Sequence, residues 1–126
     1  MRTQRQDKID AGPRARVRVD QSATDDESTL SADAVLNRIT NTYLIGVQRC
    51  YRDHLKVDGS ARGKLALRFT VNESGRAVRN HVSGMAPELH ACVAARMDNW
   101  RFPAPKDGDG QPTDASFRLS LMLVPD

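Results

Sequence analysis

The side chains best suited to chemistry in this chain are two cysteines, Cys50 and Cys92, and three histidines, His54, His81 and His90. Cys50 and His54 stand four apart, one turn along a helix, and His90 and Cys92 lie two apart further on. Cysteine and histidine are preferred zinc ligands, and four of them complete a tetrahedral site. The second pair counts against that reading, because residues two apart on a helix point about 200° apart. Two other readings of the cysteines stay open. An even count allows a disulfide without establishing one, and reduced cysteines also serve as small buried apolar groups. His81 falls on the polar side of an alternating segment and reads as a solvated residue rather than a catalytic base.

Other chemistry is hard to assemble. The sequence shows no nucleophile elbow, paired-carboxylate motif, phosphate-cradling glycine loop or metalloprotease helix. The run Gly108–Gly110 follows prolines and has acidic neighbours that would repel phosphate. Without a catalytic constellation the chain reads as a non-enzyme, with no cofactor and no metal.

The totals agree with a small binding domain. At 126 residues the chain suits one domain with a modest core. No window approaches the roughly 18 apolar residues of a membrane helix, and the first 30 residues hold no apolar signal-peptide core. A complete protein of this kind would be expected in the cytosol; a piece of a longer one would carry its address elsewhere. The net charge is +3. Residues 1–27 carry six basic and six acidic groups, so the excess belongs to the remainder.

The elements that must position these residues follow from periodicity. Residues 1–28 are polar and unpatterned, with few and small apolar side chains, which predicts a disordered tail or linker. Within it Arg16, Val17, Arg18 and Val19 alternate, the pattern of a short edge strand. The domain itself is expected over 29–126. A helix capped by Ser31 or Thr29 is predicted, with an apolar stripe of Leu36, Ile39, Tyr43, Val47 and Cys50. Leu65, Leu67, Phe69 and Val71 alternate with Lys64, Ala66, Arg68 and Thr70, a half-buried strand. Asn72–Gly75 makes a turn, and a weaker strand follows over 76–83 with Val78 and Val82 inward. Pro87 opens a second helix carrying Leu89, Cys92, Val93, Arg96, Met97 and Trp100. After Pro103 and Pro105, the alternation of Phe117, Leu119, Leu121 and Leu123 against Ser116, Arg118, Ser120 and Met122 marks a last strand.

The order α-β-β-α-β predicts an α+β fold, with two helices packed on one face of a three-stranded antiparallel sheet. The expected strand order is 2-1-3, which puts the last strand at an edge with its backbone groups unpaired. The outer face would be basic through Lys64, Arg68, Arg76 or Arg79, and Arg118. Phe69 and Phe117 belong to the inner set, so this face offers nucleic acid no stacking platform. A solvated charged face is the simpler reading, with peptidoglycan or anionic lipid as the remaining contacts. Trp100 and Phe102 are expected to plug the core behind the second helix, because so large an aromatic surface is costly to expose.

Three segments resemble a known group. "VQRCYRDHLK", "GKLALRFTVNESGRAV" and "LHACVAARMDNWRFPAP" occur in the order and spacing of the AgmX/PglI C-terminal family, a TonB-like group in envelope proteins of gliding bacteria. The resemblance covers about residues 35–124. It implies a periplasmic domain of an inner-membrane-anchored protein, with the anchor and linker lying outside this chain. It implies a role in an energy-transducing machine that spans the envelope, which in the gliding relatives is a motility apparatus. Such domains bind an outer-membrane or periplasmic protein by adding a strand to the sheet. Here that assigns partner binding to Ser116, Phe117, Arg118, Leu119, Ser120, Leu121 and Met122, with homodimerisation through the same edge as the alternative. The oxidising compartment it implies favours a Cys50–Cys92 disulfide.

Overall fold

The computed structural model describes residues 28–125, and residues 15–24 as backbone with the side chain of Val17. Ser31 caps the first helix, its Oγ accepting from the Ala34 amide at 3.1 Å. Thr29 does other work: its amide donates to the Lys106 carbonyl, and its Oγ1 accepts from the Lys106 amide.

One helical run follows in three parts: α1 (Ala32–Arg38), a π-helical turn (Ile39–Tyr43) and α2 (Leu44–Leu55). A π turn inserts one extra residue into the helix. The apolar phase upstream therefore shifts by one, and Val35 rather than the expected Leu36 is buried beside Ile39. Downstream Val47, Cys50, Tyr51 and Leu55 are buried. The Tyr51 hydroxyl donates to the Ala61 carbonyl. Burial raises the Tyr51 phenol above its ordinary range, and the Arg62 charge offsets part of that.

The sheet has four antiparallel strands: β1 (Ala15–Thr24), β2 (Gly63–Val71), β3 (Ala77–Gly84) and β4 (Ala115–Pro125), in the spatial order β1-β4-β2-β3. α3 (Pro87–Met97) lies between β3 and β4 in the chain, with Pro87 in its first turn. The three predicted strands hold the expected mutual order. The expectation fails for residues 15–24, which form β1 against β4 instead of a tail. Residues 1–14 and 25–27 of that predicted tail lie outside the described residues. The error has a physical source. A strand docking on an existing edge gains backbone hydrogen bonds, so it needs little apolar content of its own.

The hairpin between β2 and β3 is built by the predicted turn. Asn72 Oδ1 accepts from the Ser74 and Arg76 amides, both at 3.0 Å. Gly75 takes φ +84°, and its carbonyl accepts from the Phe102 amide at 2.8 Å. A Cβ at residue 75 would collide with the Phe102 carbonyl oxygen, whereas one at Gly108 meets nothing within 4 Å. Gly75→Ala is therefore expected to cost at least about 2 kcal/mol, from left-handed strain plus the collision. Gly108→Ala should be nearly neutral; urea unfolding of the pair measures the difference.

β3 carries a bulge. Arg68 pairs with His81 and Thr70 with Val78, so Arg79 and Asn80 together oppose Phe69. Arg79 sits at φ +52°, and the extra residue flips everything before it. Val78, expected inward, thus shares the open face with Thr70, while Ala77 and Val82 join the core. The core is one cluster between the helices and the inner sheet face, with Leu65, Leu67, Phe69, Phe117, Leu119 and Leu121 below and Val47, Leu89, Val93 and Met97 above.

Candidate functional site

The residues expected to accept a partner, Ser116–Met122, lie in the interior of the sheet. On one flank Ser116 through Met122 pair with Thr70 through Lys64 of β2. On the other, Phe117 through Met122 pair with residues 24 to 18 of β1. Phe117, Leu119 and Leu121 are buried in the core, while Arg118 is exposed and Ser116, Ser120 and Met122 are half-buried on the open face. The assignment of these seven residues to an edge is thus corrected: β1 occupies the flank that was expected to be free. The signal for it is the alternation at Arg16–Val19, the pattern of a short edge strand within the predicted tail.

The sheet therefore ends at β3 and at β1, and the two borders differ. The β3 border is closed where it begins. The Ala77 amide donates to the Trp100 carbonyl at 3.3 Å, and Arg76 forms a bridge with Arg101. Next comes the bulge at Arg79–Asn80, where Asn80 Nδ2 donates to Asp98 Oδ1 at 2.8 Å. Bulges and covering segments are the usual means of blunting an edge. The β1 border extends over ten residues, and no described strand pairs with its outer side. It carries one irregularity, between Val19 and Gln21.

The cysteines lie on the facing sides of α2 and α3. Their sulfurs are 2.04 Å apart and their Cα atoms 5.9 Å apart, which makes Cys50–Cys92 a disulfide. One turn away Arg96 of α3 lies across Gly46 of α2, where an added Cβ would meet its side chain at 3.3 Å. Gly46 thus lets the helices approach at the staple. The bond consumes both sulfurs that a zinc site would have used. His90 Nε2 is 2.7 Å from the Gly84 carbonyl, so that ring ties α3 to the end of β3. Among the described residues, no group of three or more His, Cys, Asp or Glu could hold a metal ion.

Trp100 and Phe102 are both buried, as their size predicts. Tyr43, at the end of the π turn, stacks on Trp100 with ring centroids 5.3 Å apart. Its hydroxyl donates to the Arg101 carbonyl and accepts from the Arg101 amide at 2.9 Å. The segment that closes the β3 border is thereby locked to the helical layer. Comparison with protein families, with curated proteins and with solved structures finds no match to this chain.

Proposed function

We propose that this chain is a binding module of the cell envelope that takes an extended partner segment onto the outer side of β1. The observation that carries this reading is the asymmetry of the sheet borders. One border is capped, bulged and side-chain bonded, whereas the other offers ten residues of strand backbone. An open strand edge is a template for a further strand, with main-chain hydrogen bonds supplying the affinity. The disulfide supports an oxidising, periplasmic setting, because such bonds persist outside reducing compartments. The AgmX/PglI-like segments support a role in an inner-membrane-anchored, energy-transducing assembly. The module acts by binding, without catalysis or a cofactor.

A photo-crosslinking residue in place of Arg18 on β1, and separately in place of His81 on β3, tests this in living cells. The expected result is a discrete adduct with an envelope protein from position 18 and none from position 81. Adducts from position 81 alone would place the partner elsewhere and defeat the reading. A second outcome, an adduct between two copies of this chain at position 18, would make the module a homodimer joined through β1. Sedimentation at increasing concentration would then show the dimer directly.

A further inference from the structure

The side of the sheet facing away from the helices carries a cluster that strand addition does not use. Arg68 of β2 stands in direct register with Arg118 of β4 on one side and with His81 of β3 on the other. All three are exposed. Side chains directly opposite on adjacent strands lie about 5 Å apart at Cβ, and like charges there destabilise a sheet. A fold selected for stability alone would place an acid or a neutral residue at one of the two arginine positions. The bulge adds a third cation, because the positive φ of Arg79 turns this side chain toward the same rim. One row along, Thr70 Oγ1 and Ser116 Oγ lie 3.0 Å apart and supply hydroxyl groups. Together these six residues line a depression of about 290 Å³.

No acid lines it. The described acid on its rim is Asp114, whose Oδ2 is 3.7 Å from Arg79 Nη2 with both side chains well exposed, an arrangement of small energetic weight. Arg118 has further contacts of its own; it contributes here through its charge at this register position. Guanidinium groups bind phosphoryl oxygens through paired, charge-assisted hydrogen bonds, which makes a cluster of them a phosphate-recognising device. The aromatic rings beneath, Phe69 and Phe117, are buried, so the face cannot stack a nucleic-acid base.

We propose that this depression is a binding site for a phosphoryl group, held by Arg68, Arg79 and Arg118 with His81 beside them and the Thr70 and Ser116 hydroxyls at its floor. The site lies on the sheet face and is independent of whether β1 pairs with a partner. Its ligand is a phosphate-bearing small molecule or the phosphodiester of a lipid headgroup, two sources with the same chemistry.

The test is an amide chemical-shift titration of the full chain with inorganic phosphate, against sodium chloride at matched ionic strength. Expected are saturable shifts confined to residues 68–70, 79–81 and 116–118, with half-saturation on the order of 1 mM. Arg68→Gln should weaken binding about tenfold. It should leave stability unchanged or higher, since it removes a like-charged pair. Lys64→Gln removes one charge from the same face outside the cluster and should change affinity less than about twofold. Equal shifts with chloride, or equal losses from the two variants, would reduce the cluster to diffuse charge and overturn the proposal. Phosphatidylglycerol vesicles identify the source. Binding displaced by inorganic phosphate assigns the headgroup, and no vesicle binding assigns a free phosphate compound. Vesicle binding that neither phosphate nor Arg68→Gln diminishes would also overturn it.

Discussion

Trp100→Ala is expected to lower the stability of this domain by about 3–5 kcal/mol, the range for deleting a fully enclosed large aromatic side chain. Trp100 is 2% exposed and lies in the middle of a ring network. Tyr43 stacks on it at 5.3 Å, and Phe69 and Phe102 meet it edge-on at 5.7 and 6.3 Å. Phe69 passes the contact on to Phe117 of β4 at 5.8 Å. Each such pair adds about 0.5–1.5 kcal/mol beyond area burial, so truncation removes several favourable contacts and leaves a cavity between helix and sheet. The backbone hydrogen bond from Ala77 to the Trp100 carbonyl does not need the side chain and should survive. Urea unfolding followed by far-UV circular dichroism measures the loss. Val57→Ala is the reference, because Val57 is 85% exposed and should change stability by less than about 0.5 kcal/mol. Similar values for the two variants would mean that Trp100 is not enclosed, and the account of the aromatic core would fall.

The second large effect belongs to the Cys50–Cys92 bond. Its sequence separation is 42, and closing a loop of that length restricts the unfolded chain by about 4 kcal/mol in the chain-entropy account. Measured losses on removal are commonly about 2–5 kcal/mol. For a domain of this size that corresponds to a fall in Tm of roughly 10–20 °C. The bond joins α2 to α3 within the helical layer above the sheet, where the remaining links are side-chain packing and the approach of Arg96 to Gly46. Protein folded under oxidising conditions should accept no thiol-alkylating reagent until it is reduced, and two equivalents afterwards. Reduction, or the double variant Cys50→Ala with Cys92→Ala, should produce the Tm drop. Two alkylated cysteines in the unreduced protein, or an unchanged Tm after reduction, would remove the structural basis for placing the domain in an oxidising compartment.

Much of this architecture was legible in the residues. Alternation located β2 and β4, the Asn72–Gly75 turn joined β2 to β3, Ser31 and Pro87 marked the helix starts, and the size of Trp100 and Phe102 implied their burial. Two phase errors have definite causes. Strict alternation carried through Arg79 predicts Val78 inward, and the bulge there breaks it by one residue. A 3.6-residue period carried through Ile39–Tyr43 makes Leu36 the first stripe residue, and the π turn moves the phase to Val35. An inserted residue leaves no mark of its own type in the sequence, so both shifts are visible once the chain is folded. The basic residues of the open face were legible singly. Their convergence was not, since it depends on the register that sets Arg68 opposite both Arg118 and His81.

By itself the sequence determined most of the parts: which segments within 29–126 are helix or strand, which side of most of them is apolar, and that the two cysteines lie on helix faces able to meet. Tertiary structure decided the borders. It placed residues 15–24 beside β4, put that strand in the interior and left β1 with no described strand on its outer side. The division follows from what carries each kind of information. Periodicity resides in side chains, which differ from residue to residue and can be read in order. Pairing at a sheet edge is made by amide and carbonyl groups that nearly every residue possesses, so the choice of neighbour for β4 had almost no residue-type signature to read.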